Sequence, residues 1–247
     1  MPAEWETHDR CWMMWPTGLD HERYPDTQRM RNGYATVANA ISEFEPVTII
    51  SNNLDKKDCK KMINNEINIQ NLTIDDSWCR DSGPTFITNG KNLGGVDWEF
   101  NNYGELLGPD YLSDKKLAKK VISHAEAEYF EAPIILEGGA IHTDGNGTLM
   151  ITEDVLLDPN RNPGLTKNEA EAILSNYLGV ENFIWLIAAL EYDDTGGHID
   201  NLSCFTPGNI IIALDEQNRE DTNYERLKEN INRLQYAKDI NDRPYEI

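Results

Sequence analysis

A chain of 247 residues with 39% hydrophobic content can bury a sizeable core, as one large domain or two small ones. Forty-three acids against 22 bases leave a formal net charge of −21. That charge argues against nucleic acid as a partner and favours small cations, although most of an acidic surface serves solubility. No stretch reaches transmembrane length, and the N-terminus Met1–Pro16 carries acids where a signal peptide needs bases. Cys11, Cys59, Cys79 and Cys204 are far apart with no C-x-x-C pair. They read as reduced thiols of a cytoplasmic protein, not as a disulfide framework or a zinc site. The sequons at Asn71, Asn146 and Asn201 carry no meaning without export.

Helix and strand signals alternate along the chain, which predicts an α/β fold. A helix is predicted over 22–44, then the apolar strand Val47–Ile50. A short polar helix over 55–65 and a strand at Leu72–Ile74 follow. Ser113 is read as the cap of a helix reaching Phe130. Leu117, Val121 and His124 share one face of it, so His124 is expected to be a packed or half-exposed helix residue, not a ligand. Thr166 and Glu169 spell a capping box, and Gly179 stops that helix after Leu178. The strand Phe183–Ile187 comes next. A last helix near 221–238 aligns Tyr224, Leu227, Ile231 and Leu234.

A weak repeat emerges when the acidic loops are compared. Arg80–Thr88 resembles Thr143–Thr152, and His198–Asn201 likewise precedes an apolar strand, Asn209–Ala213. The spacing is 63 residues from Asp81 to Asp144 and 56 onward to Asp200. Each unit reads as strand, acidic loop, strand and helix, the signature of modules around a common axis with loops meeting at one end. About four units fit this length, and Asp242–Ile247 looks like the start of another strand.

Two acidic clusters carry the chemistry. Asp193–Asn201 holds one His and three carboxylates around Gly196 and Gly197, and Asp75–Pro84 adds Trp78 and Asp81. A guanidinium is flat and permanently charged, so carboxylates in its plane and an aromatic face are what would bind it. Asp81 and Asp200 suit the in-plane role and Trp78 the aromatic wall. Trp78 and Asp81 are read as reaching one cavity from one loop. His198 would serve as acid and base, facing the same way as Asp200 if that segment is extended. Blander readings stand beside these: a solvated acidic turn, and a core Trp78. His142-x-Asp144 repeats the spacing of His198-x-Asp200, so those four could instead ligate a metal in a hydrolase. The Asp194-Thr195-Gly196 string mimics an aspartic-protease motif, but it has no second copy and is followed by Gly-His.

At these residues the chain resembles the agmatine deiminases, members of the guanidino-group-modifying superfamily. The resemblance runs through Met1–Glu6 with Trp12–Pro16, Asp75–Pro84, Gly94–Trp98 with Phe100 and Asn101, Glu137–His142, Asn160–Pro163 and Thr195–Asn201. It implies a pseudo-fivefold α/β propeller (the pentein fold), here with roughly four of five modules, and a single catalytic domain over 1–247. It further implies conversion of agmatine and water to N-carbamoylputrescine and ammonia in putrescine biosynthesis, with no metal or cofactor. In that mechanism a Cys thiolate attacks the guanidinium carbon, ammonia leaves, and the covalent intermediate is hydrolysed with a His as acid and base.

Carried over by position, His198 matches the catalytic His, Asp81 and Asp200 the guanidinium-binding carboxylates, and Trp78 the neighbouring Trp. Asp194 stands where the family commonly has Glu, on the substrate's far side. The family nucleophile lies in a later G-G-G-N-I-H-C motif that this sequence does not reach, so the chain alone is expected to be inactive. Cys79 is not expected to replace it, because an acidic pocket suppresses the thiolate. Cys204 is expected in the core. A small cationic guanidino partner follows, with no nucleic acid or membrane partner, and the family allows a homo-oligomer. Alternatives are a non-catalytic relative that binds a cationic amine, and the metal-dependent hydrolase. Peptidyl-arginine is the rival substrate.

Overall fold

The computed structural model describes residues 1–17, 26–187 and 190–247, gathered in two units. The smaller unit comprises residues 7–83 and 109–117, the larger residues 1–6, 84–108 and 118–247.

In the smaller unit, β1 (Cys11–Met14), β2 (Val47–Ser51) and β3 (Asn68–Asn71) form a parallel sheet in that order. The crossovers are α1 (Thr27–Ser42) and α2 (Lys56–Met62). Asp26 starts α1 by accepting the Arg29 N–H at 2.8 Å. The predicted start at 22 falls partly outside the described residues. All five positions of β2 are buried, as a strand covered on both faces requires. Trp15, Ala35, Ala38, Ile49 and Cys59 form the core.

The strand predicted at Leu72–Ile74 is misplaced: the ladder runs over Asn68–Asn71, and beyond it the Asn52 side chain takes over. Its Oδ1 accepts the Ile74 N–H at 3.0 Å and its Nδ2 donates to the Ile74 carbonyl at 3.1 Å. The segment Cys79–Ser82 is a helical turn, α3.

Two carboxylates join the distant segments of this unit. Asp75 Oδ2 accepts the N–H groups of Ser113 and Asp114 at 2.6 and 3.1 Å, and Asp114 accepts those of Asp75 and Asp76, both at 2.9 Å. Ser113 therefore does not cap with its own hydroxyl; Asp75 satisfies that helix start instead. Burial is the main force pushing Asp114 up to about 7, against the two N–H donors and with the help of Asp75 and Asp76. The folded state thus holds a proton that the unfolded chain releases at lower pH. This contribution to stability is present below the ordinary 3.8 and is lost as pH rises through about 7. Urea titrations between pH 4 and 7 should show that loss, and Asp114→Asn should flatten it. An unchanged slope in the variant would refute the assignment.

The larger unit repeats one pattern. Strands β4 (Thr85–Thr88) and β5 (Leu93–Glu99) form an antiparallel hairpin, then α4 (Leu117–His124) leads to β6 (Glu128–Ile135), parallel to β5. Next come β7 (Ile141–Thr143), antiparallel to β8 (Thr148–Thr152), then α5 (Glu153–Leu156) and α6 (Lys167–Leu178), and β9 (Asn182–Leu186), parallel to β8. A third hairpin pairs β10 (Ser203–Thr206) with β11 (Ile210–Ala213), followed by α7 (Tyr224–Gln235). A parallel bridge from Ile210 to Glu246 begins the corresponding third strand.

The helix predicted to reach Phe130 ends at His124, because Glu128–Ile135 is claimed by pairing with β5. Leu117 and Val121 are buried, while His124 is exposed, its Nδ1 2.7 Å from the Lys120 carbonyl. Gly95 lets α4 pack closely on β5: a Cβ there would lie 2.4 Å from Ile122 Cγ1. The capping box at Thr166 and Glu169 forms, and Gly179 ends α6 in the left-handed conformation at φ 67°. Two apolar clusters fill this unit, one around Val96, Leu149, Leu156 and Leu174, the other around Met150, Leu186, Phe205 and Leu234. Cys204 is half-buried, not core. No helix among the described residues is long and apolar enough to cross a membrane.

Candidate active site

In the larger unit, Glu137 is the centre of a buried ionic cluster. It follows β6 and precedes a 3₁₀ turn over Gly138–Ala140, and its side chain is fully buried. Arg161 Nε donates to both Glu137 oxygens at 3.0 and 3.1 Å, Nη1 to Asp158 at 2.9 Å, and Nη2 to the Thr195 carbonyl at 2.6 Å. His198 Nε2 stands 3.5 Å from Glu137 Oε2, and Nδ1 stands 4.0 Å from Asp200 Oδ1. Burial acts to raise the Glu137 pKa, but His198 and Arg161 outweigh it and hold the carboxyl below its ordinary value. The imidazole of His198 is 1% exposed and packs against Tyr103, ring centroids 5.6 Å apart.

The loop that presents His198 is built by Asp193. Its Oδ1 accepts from the Thr195 N–H and hydroxyl at 2.8 and 2.6 Å, and its Oδ2 accepts the Gly197 N–H at 2.9 Å. Thr195 Oγ1 then accepts the His198 N–H at 3.2 Å, and the Thr152 hydroxyl donates to the Gly197 carbonyl at 2.7 Å. Asp193 is therefore a scaffold, whereas Asp194 is exposed.

The extended geometry expected for His198 and Asp200 is not found. Residues Ile199–Asn201 form a 3₁₀ turn, so the two do not alternate as on a strand. The turn still places Asp200 beside the ring, with its side chain 46% exposed.

The support for Tyr103 is a left-handed run: Asn102, Tyr103, Gly104 and Glu105 have φ of 58°, 62°, 74° and 64°. Such backbone is costly outside glycine and persists where surroundings over-determine it. Here Asn101 Oδ1 accepts the Gly104 N–H at 2.9 Å, and Asn101 Nδ2 donates to the Asn160 carbonyl at 3.0 Å. A Cβ on Gly104 would meet Asp158 Oδ2 at 2.9 Å, the carboxylate that steadies Arg161. Gly104→Ala should cost about 1–3 kcal/mol in urea denaturation. A loss below about 0.5 kcal/mol, ordinary for a surface change, would show the turn to be unconstrained.

The proposed metal quartet does not assemble. Among the described residues, His142, Asp144, His198 and Asp200 do not bring three ligand atoms within 4.8 Å of one another. Asp144 is engaged by the N–H groups of Asn146 and Thr148 at 2.8 and 2.9 Å and by the Tyr245 hydroxyl at 3.0 Å. His142 Nδ1 faces the Phe205 N–H at 3.3 Å, and Nε2 lies 3.5 Å from Glu4. Both belong to the turn and the hairpin packing.

In the smaller unit, Asp81 lies on the helical turn α3 and Trp78 immediately precedes it as its N-terminal cap residue, so the segment is not an open loop. Asp81 is buried while Trp78 is 39% exposed, as an aromatic available to a ligand would be. Burial, more than acidic neighbours, pushes the intervening Cys79 thiol up to about 12. Arg80 opposes this more than Asp114 or Asp81 each adds to it. The thiolate is suppressed as expected, but chiefly by desolvation.

A hydrogen-bonded Glu–Arg pair beside a buried imidazole, on modules of hairpin, helix and parallel strand, is an arrangement suited to holding a ring that gains and loses a proton. The family described as Porphyromonas-type peptidyl-arginine deiminase matches residues 1–247, and the chain belongs to it. It is 42% identical over 251 residues to a Legionella pneumophila protein named "Putative agmatine deiminase", covering all of this chain and 71% of that one. It is 38% identical to the agmatine deiminase of Pseudomonas aeruginosa, covering 98% of this chain and 67% of the relative. A solved agmatine deiminase of Enterococcus faecalis superposes with a TM-score of 0.94 at 31% identity, across all of this chain and 68% of that one.

Proposed function

We propose that this chain belongs to an agmatine deiminase, a hydrolase that converts agmatine and water to N-carbamoylputrescine and ammonia. The observation that carries the reading is the buried His198, set between Glu137 and Asp200 and backed by Tyr103. A protonated imidazole fixed this way can pass its proton to the departing ammonia, and the neutral ring so formed can then take one from the attacking water. Glu137 balances the positive charge that proton transfer places on the ring, and Arg161 fixes the carboxylate in place. Asp81 and Asp200 are assigned to the guanidinium, Trp78 to its face and Asp194 to the distal ammonium. Residues 1–247 are read as a single catalytic domain of the pseudo-fivefold α/β propeller type, with about four of its five modules. The three successive hairpin–helix arrangements support that reading. The acidic balance fits a dicationic substrate better than arginine, whose carboxylate would need a basic partner. The same charge supports the absence of a nucleic-acid partner. A cytoplasmic enzyme whose reaction uses no metal or cofactor, of a family that allows a homo-oligomer, completes the proposal.

The thiol that attacks the guanidinium carbon is assigned to the family's later G-G-G-N-I-H-C motif, so the test offers agmatine, free arginine and a peptidyl-arginine in turn to this chain joined to that motif's segment, measuring ammonia and ureido product. Preferential turnover of agmatine is expected. Preference for either arginine substrate would overturn the substrate assignment, and saturable agmatine binding without ammonia would favour a non-catalytic amine binder.

A further inference from the structure

One cluster in the smaller unit takes no part in the chemistry above. Cys11 opens β1, and its N–H donates to the Pro46 carbonyl at 2.9 Å, which fixes its register against β2. Glu45 lies in the turn that joins α1 to β2, its N–H bonded to the Ile41 carbonyl at 3.0 Å. His8 stands three residues before Cys11. The Cys11 thiol donates to Glu45 Oε1 at 2.8 Å, and His8 Nδ1 lies 3.1 Å from Glu45 Oε2. One sulfur, one nitrogen and one oxygen thus all fall within 4.8 Å of one another.

Tetrahedral zinc has bonds of about 2.0–2.3 Å, which sets its ligand atoms roughly 3.3–3.7 Å apart. Around the single oxygen Glu45 Oε1, Cys11 Sγ lies at 2.8 Å and His8 Nδ1 at 3.4 Å, and all three fall within 4.8 Å of one another, so adjustments of side chains alone bring the trio to the spacing that encloses an ion. The geometry points to a site for a borderline-soft divalent cation such as Zn²⁺, held by His8 Nδ1, Cys11 Sγ and a Glu45 carboxylate oxygen. Imidazole, thiolate and carboxylate together select zinc or cobalt over calcium or magnesium, which take oxygen donors. The His8 side chain is 45% exposed and Glu45 22%, leaving the fourth position open to water. On binding, the ion replaces the thiol proton, which passes to solvent, and Sγ becomes the ligand. The site would tie the segment before β1 to the turn after α1, so occupancy stabilises the folded chain by mass action. The spacing in sequence hides it, because Glu45 lies 34 residues beyond Cys11.

Titration of the metal-stripped full chain with Co²⁺ provides the test. One equivalent should bind with a thiolate-to-cobalt charge-transfer band, Zn²⁺ should displace it, and Zn²⁺ should raise the melting temperature. Cys11→Ser should abolish the band, while Cys204→Ser should keep it. His8→Ala, a change at a well-exposed side chain, should weaken Co²⁺ binding at least as much as the about 10–100-fold seen on losing an outer-shell partner. No band in the parent chain would overturn the site. So would a band undiminished in Cys11→Ser, a band lost in Cys204→Ser, or unchanged affinity in His8→Ala.

Discussion

Glu137→Gln should destabilise the chain by about 3–5 kcal/mol, the usual cost of removing one partner from a buried ion pair. The amide keeps an acceptor for Arg161 Nε but no charge, so a guanidinium that is 1% exposed is left with Asp158 as its remaining carboxylate. The two Arg161 Nε bonds to Glu137 are charge-assisted and the stronger for their burial. Because Glu137 titrates below its ordinary 4.5 when folded, its contribution is fully present above that value and is lost as pH falls through the folded pKa. Chemical denaturation at pH 7 and at pH 4 should therefore show the variant closer to the parent in acid. A loss under about 1 kcal/mol at pH 7 would mean that the cluster is solvated and the pair weak.

In the protein joined to the family's nucleophile-bearing segment, His198→Gln should lower kcat/KM for agmatine by about 10²–10⁴-fold, the range for losing a positioned general acid and base. The amide fills much of the imidazole's space against Tyr103 and can still reach Glu137, so folding should change far less than activity. Steady-state ammonia release, with melting temperature measured alongside, separates the two effects. A fall of less than about tenfold would remove His198 from proton transfer and return it to a structural role.

The elements most legible in sequence were those whose signals are local. The capping box at Thr166 and Glu169, the stop at Gly179 and the β-branched run at Val47–Ile50 each carry their cause within a few residues. The hairpin repeat was visible because turn glycines and apolar strands recur at a near-constant interval. The errors arose where a distant side chain took over a backbone duty: Asn52 displaced the ladder at Ile74, and Asp75 replaced Ser113 as a cap. His198 was legible as a candidate from its acidic, glycine-rich surroundings, but its wiring was not. Arg161 and Glu137 are 24 residues apart, and their motifs carried resemblance without a role. In Asp193-Asp194 the sequence marked the second carboxylate for the substrate, whereas Asp193 holds the loop together. Two adjacent acids are indistinguishable until backbone direction decides which one turns inward.

The order in which the chain threads its two units bears on its birth at the ribosome. The smaller unit draws on residues 7–83 and then on 109–117, and the larger unit begins with residues 1–6 and resumes at 84. The opening hexapeptide therefore emerges long before the partners it packs with, and Asp75 waits for Asp114 until the intervening hairpin strands β4 and β5 have been made. Neither unit is a contiguous stretch that could be excised by cutting once. Until residues 109–117 are made, the smaller unit lacks the hydrogen bonds that Asp114 and Asp75 exchange across it, and incompletely packed states of this kind are the ones chaperones bind. A permuted gene that joined 7–83 directly to 109–117 would shorten that wait.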